Sequence, residues 1–292
     1  MDYGVPGRDF RPTEDQAAHL LNRVLDLGVN FIDTARVYGT SEEVIGRALA
    51  ARRNEYILAS KVAAPPAGLQ STGQELRRWV ADSITTSLRA LQTDVIDLLQ
   101  IHSATLEVIQ RGEIIEAIAD AQKVGSVRFT GATTYGEPAT LAAIEDGRYD
   151  CVQVAYNLLD RQFETQVLPL ARQKDVGVVV RSVLLRGVLS DAYVHLPAQL
   201  DELRAAIGRL AALPVAPCVP EMAYRYVLAQ PAIASALVGT ARLDELEAAL
   251  DYASRGPLPE ELVDGIRQIV VHDEAQLFPG NWPRPEAWQS PG

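Results

Sequence analysis

The sequence predicts an α/β fold: a (β/α)8 TIM barrel of parallel strands with outer helices. Three observations carry it. Strand and helix patterns alternate regularly from residue 13 into the 250s. The strands are near-continuous apolar runs, as expected where both faces of a parallel sheet are covered. No low-complexity segment or composition break divides the 292 residues, so a single barrel domain over 1–292 is expected, with 273–292 an irregular C-terminal tail.

In chain order, Thr13 and Gln16 form a capping box for a helix through Leu27, which Gly28 ends. A strand over 30–35 follows. Ser41-Glu42-Glu43 opens the next helix, with Ser41 as its cap and two acids at the positive end of the helix dipole. Residues 56–61 form a strand, 62–73 a Pro/Gly/Ser loop and 74–91 a long amphipathic helix. Strands over 95–102, 127–133, 151–156 and 177–184 alternate with helices over 113–124, 138–146 and 163–174. Helices near 198–212 and 220–229, a strand over 235–239 and helices over 243–254 and 259–271 complete the pattern. That makes seven strands. The first twelve residues hold no clear strand, so the first strand and N-terminal hairpin read as missing or truncated: either that strand is lost, or the true start lies upstream, or Tyr3-Gly4-Val5 is its remnant.

Net charge is −11, which opposes nucleic acid and anionic membranes as partners. Only two cysteines occur, Cys151 and Cys218, in no metal or disulfide spacing, which fits a reducing cytoplasm. Nothing at the N-terminus reads as a signal peptide, and no apolar run reaches the roughly 20 residues of a membrane helix. The oligomeric state is not legible. Lysine occurs only at 61, 123 and 174, so the place of each is informative.

Residues 30–39, Asn-Phe-Ile-Asp-Thr-Ala-Arg-Val-Tyr-Gly, organise the site. Asp33 stands at a strand tip and Tyr38 in the loop beyond it. The next two strands end in Lys61 and His102. In a barrel these ends open on one face, where chemistry is placed. Individually, Lys61 reads as a structural partner of Asp33, and His102 as a strand-end histidine that satisfies backbone groups. Together they suit one task. A phenol has a pKa near ~10, and a nearby ammonium stabilises its phenolate. Asp33 then holds Lys61 charged, His102 donates to a carbonyl oxygen and Tyr38 protonates that oxygen as charge develops. A nicotinamide hydride is the natural nucleophile. Lys61 as a Schiff-base former is a second reading. A nucleotide-binding regulatory protein without turnover is a third.

These residues resemble the aldo-keto reductase family over about residues 13–250. The Asn30–Gly39 stretch is similar to its Asp-x-x-x-x-Tyr-Gly motif. The segment Leu88-x-x-Leu91-x-x-Asp94-x-Ile96-Asp97-Leu98-x-x-x-His102 resembles its second signature. The resemblance implies Tyr38 as general acid, Asp33 and Lys61 as its tuning pair, and His102 as the carbonyl donor, with Asp97 structural. It implies an NADP(H)-dependent reduction of a small aldehyde or ketone, with NAD(H) open and no metal. Gly131-Ala132-Thr133-Thr134-Tyr135 stands where the family has Gly-x-Ser-Asn-aromatic, so Thr133 and Thr134 would face the nicotinamide carboxamide. Gln153 matches the family's carboxamide-binding Gln. Arg181 and Ser182 stand where many members stack an aromatic on the nicotinamide. Gly239, Thr240 and Arg242 resemble the grip on the adenosine 2′-phosphate, although Ala248-Ala249 replaces the usual Glu-Asn and Glu245 stands where a basic residue is common.

Other polar residues read as structural. His19, His195 and His272 are assigned to helix or loop surfaces, with His272 in the last helix. Cys151 starts a strand away from the chemistry. Phe278, Trp282 and Trp288 either line the pocket or pack the tail.

Overall fold

The computed structural model describes residues 12–63, 65 and 72–283. Tyr3-Gly4-Val5, most of the 62–73 loop and Trp288 lie outside them. Two compact units are distinguished, the first comprising Pro12–Val154 with Glu164–Val179, the second Ala155–Phe163 with the described residues from Val180 onward.

The first unit begins with helix α1, Glu14–Asp26, capped by Thr13 and Gln16 in the expected reciprocal box. Then come strand β1 (Phe31–Asp33), helix α2 (Ser41–Leu49), strand β2 (Ile57–Val62) and helix α3 (Gly73–Ala90). Strand β3 (Ile96–Ala104) is followed by helices α4 (Leu106–Arg111) and α5 (Glu113–Lys123), strand β4 (Val127–Thr134), helix α6 (Glu137–Asp146) and strand β5 (Cys151–Ala155). Helix α7 is Val167–Gln173, and strand β6, Gly177–Arg181, begins in this unit.

Strands β1 to β5 pair in chain order, all parallel, with Asp33 opposite Ala59, Lys61 opposite Gln100, Gln100 opposite Gly131 and Thr133 opposite Gln153. Alternation of side chains then puts Asp33, Lys61, Gln100, His102, Thr133 and Gln153 on one face. Leu99, Ile101, Ala132 and Val152 point the other way into a buried layer beneath the helices. Each fully buried aliphatic of this kind contributes roughly 1.5–3 kcal/mol relative to exposure.

The second unit holds the end of β6, helices α8 (Asp201–Ala211) and α9 (Val219–Leu228), strand β7 (Ile233–Ala236), and helices α10 (Leu243–Ser254) and α11 (Glu260–Arg267). Its tail is irregular, as expected. Trp282 donates from its indole to the Gln276 carbonyl at 2.8 Å, and Gln276 accepts the Leu203 amide at 3.0 Å, so Trp282 packs the tail against α8.

Several boundaries differ from expectation for local reasons. Strand β6 stops at Arg181 because Ser182 turns to φ +63°. Strand β7 ends at Ala236, leaving Gly239 in the loop. The last helix ends at Arg267, so His272 lies beyond it. Helix α4 was not anticipated, although its signals are present: Thr105 caps it through the Val108 amide, and Gly112 ends it with φ +70°. Ser41 does not cap α2. Its hydroxyl pairs instead with Thr34 Oγ1 at 2.9 Å.

Asp97 is structural. It accepts the Leu58 amide at 2.9 Å, Arg53 Nη2 at 2.5 Å and Arg128 Nη1 at 2.7 Å. Its side chain is only 7% exposed. Asp97→Ala leaves the buried Leu58 amide without its acceptor and the part-buried Arg53 without its counter-charge, so it should lower unfolding free energy in urea by about 2 kcal/mol. Asp120→Ala, which breaks an exposed pair with Arg77, should cost under about 1 kcal/mol in the same measurement.

Candidate active site

Four elements of the first unit deliver the site. Strand β1 ends at Asp33, and the Thr34 amide still donates to the Ala59 carbonyl at 2.9 Å, which fixes the strand tip. Lys61 on β2 has a fully buried side chain. Its ammonium donates to Asp33 Oδ2 at 2.5 Å and to the Thr34 carbonyl at 2.8 Å. A charge in so dry a place is tolerated only with such partners.

Tyr38 is set by a braced loop. Its amide donates to the Ala35 carbonyl at 2.9 Å, and its carbonyl accepts the Ser41 amide at 3.1 Å. Arg36 pairs with Glu42 at 3.3 Å, and the buried Glu42 accepts the Ser60 hydroxyl at 2.6 Å. The loop is thereby tied to both α2 and β2. The Lys61 ammonium lies 5.0 Å from the centre of the Tyr38 ring. The His102 ring meets the Tyr38 ring edge-on at 5.7 Å and 84°. Asp33, Tyr38, Lys61 and His102 are therefore brought together.

His102 owes its place to an irregularity. The β3–β4 register shifts between Ile101 and Ala104, and Ser103 adopts φ +54°. Left-handed backbone at a non-glycine residue is strained and needs local support. Thr133 supplies it by accepting the Ser103 amide at 2.6 Å. The Thr134 hydroxyl is buried and bonded to Thr140 Oγ1 at 2.8 Å. Both threonine hydroxyls thus serve the fold at the tip of β4.

Gln153 donates from Nε2 to Asp33 Oδ1 at 2.9 Å. Asp33 is joined there by Gln100, a residue the sequence reading passed over, whose Nε2 is 3.2 Å from the same oxygen. The available signal was an amide in an apolar strand, two residues before His102 and hence on its face. Cys151 lies two residues before Gln153 on β5, and burial pushes its thiol up to about 12.

The remaining candidates belong to the second unit. Arg181 and Ser182 are half-buried at the end of β6, and the Ser182 carbonyl accepts Asn157 Nδ2 at 3.3 Å. Gly239 is exposed. Thr240 Oγ1 accepts the Arg242 amide at 3.0 Å and donates to Glu245 Oε2 at 2.5 Å. The Arg242 guanidinium grips Asp244 through Nε at 3.1 Å and Nη2 at 2.5 Å. That hydrogen bond from Arg242 holds the Asp244 carboxyl below its usual range. His19, His195 and His272 are exposed. Among the described residues no His, Cys, Asp and Glu cluster has the makings of a metal site, and no helix is long and apolar enough to cross a membrane.

An acid, a buried ammonium and an imidazole thus cluster at parallel strand tips, with a phenol in the adjoining loop. The model of the aldo/keto reductase family matches residues 4–271. An uncharacterized oxidoreductase of Bacillus subtilis, YqkF, is 28% identical over 281 residues, covering 89% of each chain. L-galactose dehydrogenase of Arabidopsis thaliana is 29% identical over 262 residues, covering 82% of this chain and 79% of its own. The holo structure of aldo-keto reductase AKR11C1 from Bacillus halodurans superimposes with a TM-score of 0.77 at 27% identity, covering 92% of this chain and 97% of that one. The chain belongs to the aldo/keto reductase family, whose (β/α)8 barrel is the fold class the sequence predicts.

Thiol reactivity follows from burial, because the thiolate is the reactive form. At about pH 8 a disulfide-exchange reagent should label the exposed Cys218 and spare Cys151 in the native chain. Both should react after unfolding, as read by mass spectrometry.

Proposed function

We propose that the chain reduces a small aldehyde or ketone to the alcohol, with NADPH as electron donor. The observation that carries this is the Lys61 ammonium, fixed by Asp33 and the Thr34 carbonyl and set against the Tyr38 ring. A permanent positive charge beside a phenol favours release of its proton. Tyr38 donates that proton to the substrate oxygen, and His102 orients the carbonyl by hydrogen bonding. The carbonyl carbon becomes a C–H carbon, its oxygen becomes a hydroxyl, and solvent restores the Tyr38 proton.

A nicotinamide held here would supply the hydride. The residues present fit it. An ionised Asp33 only accepts, so Gln153 must turn Nε2 to it and keep its carbonyl oxygen for another donor. A carboxamide N–H is such a donor. Thr133, Arg181 and Ser182 are proposed to shape the remaining nicotinamide contacts, while Thr134, bonded to Thr140 on the opposite face, braces the tip of β4 behind them. Gly239, Thr240 and Arg242 are proposed to hold the 2′-phosphate, with Arg242 exchanging Asp244 for phosphate. Lys61 is poorly placed for Schiff-base chemistry, since its donors already serve Asp33 and the Thr34 carbonyl.

Tyr38→Phe should leave NADPH binding intact by nicotinamide fluorescence. It should lower kcat for carbonyl reduction by about a hundred- to ten-thousand-fold, the range for a general acid. Wild-type turnover in Tyr38→Phe would refute the mechanism. Arg242→Ala should weaken NADPH about tenfold, the loss of one charge-assisted contact, and leave NADH affinity unchanged in the same titration.

A further inference from the structure

Asp33 collects three side-chain donors. Lys61 takes Oδ2, while Gln100 and Gln153 both take Oδ1. Gln153 is the donor nearer the strand ends. Gln100 lies deeper on β3, with no exposed surface at all. Since it turns Nε2 to the carboxylate, its Oε1 points away, and among the described residues that buried oxygen has no hydrogen-bond partner. A buried acceptor left unpaired is costly, and an apolar side chain of similar volume avoids the cost. Room is nevertheless made for it. Gly131 stands opposite Gln100 in register, and a Cβ there would come within 3.1 Å of Gln100 Cγ and 2.9 Å of the Cys151 carbonyl. Packing alone does not account for an amide at this position.

We propose that Gln100 is a positioning residue for carbonyl reduction. It pegs Asp33 Oδ1, so that Oδ2 stays on Lys61 and the ammonium stays set against Tyr38. This rests on the reductase reading above. Gln153 makes a similar bond, but its amide is also the one proposed to face the cofactor. Among the described residues the Gln100 side chain hydrogen-bonds Asp33 alone. Without the peg the carboxylate can rotate about its χ2 axis and the ammonium follows. Misplacement of a catalytic group by about an ångström lowers rate up to about a hundredfold without changing substrate affinity.

The test uses the whole chain with Gln100→Met and Gln100→Leu, which keep volume and remove the donor. Wild-type turnover of a carbonyl substrate with NADPH is established first, because its absence would sink the reductase reading rather than this one. With turnover in hand, kcat should fall about ten- to hundredfold in both variants. KM for the carbonyl and Kd for NADPH should stay within about twofold, and Tm should be maintained, since the unpaired oxygen is gone. Wild-type kcat in the variants would overturn the assignment. So would a loss of kcat matched by an equal loss of NADPH affinity, or failure of both variants to fold, since either would make Gln100 a general structural residue.

Discussion

A lysine ammonium without exposed surface is the constraint from which the site follows. Lys61 sits at the end of an apolar strand, where its charge is tolerated only because Asp33 and the Thr34 carbonyl meet it. Those partners are consecutive residues at the end of β1, so strand pairing between β1 and β2 and burial of the charge are one condition. Once the pair is fixed, its second carboxylate oxygen needs donors, and Gln100 and Gln153 provide them from β3 and β5. Strands β1, β2, β3 and β5 are thus tied together at one carboxylate.

Around that centre, local strain is held by specific bonds. The left-handed Ser103 lets β3 bulge just after His102, and Thr133 on the neighbouring strand accepts the amide that the bulge redirects. The Tyr38 loop is held by the Thr34–Ser41 hydroxyl pair and by the buried Glu42, which reaches both Arg36 and Ser60. A precise site on a loop requires such support, because loop backbone alone does not hold a phenol within an ångström. Asp97, by contrast, stabilises the opposite end of the strands through Arg53, Arg128 and the Leu58 amide. Two carboxylates on apolar strands either side of β2 therefore carry separate duties, set by which end of the sheet they occupy.

In the second unit the proposed phosphate grip is made of exposed, internally paired groups. Arg242 with Asp244 and Thr240 with Glu245 form ion-pair and hydrogen-bond contacts in water, where each is weak and salt-screened. Exchanging Asp244 for a dianionic phosphate on the same guanidinium is therefore cheap, while Glu245 remains a like charge nearby. In the proposed grip, these two acids oppose the one arginine offered to the 2′-phosphate.

The alternation of elements, the parallel strands and the residues Asp33, Tyr38, Lys61, His102 and Gln153 were legible in the sequence. Apolar runs and strand-end polar residues are local patterns, and local patterns survive without a structure. The Thr13–Gln16 box and the structural part of Asp97 were legible for the same reason. Helix α4 escaped because six residues give too little periodicity, despite Thr105 and Gly112 at its ends. Ser41 was misassigned because a hydroxyl beside a helix start has two partners in reach, and only the fold shows that Thr34 takes it. The same limit hid Gln100. An amide within an apolar strand acquires meaning only when register places it against Gly131 and the fold brings it within reach of Asp33, 67 residues earlier. Sequence determined which groups stand at the strand tips, since hydrophobic patterning ends there. Tertiary structure alone decided which of them hydrogen-bond to one another, because hydrogen-bond geometry between distant strands is fixed by register and not by neighbours in the chain.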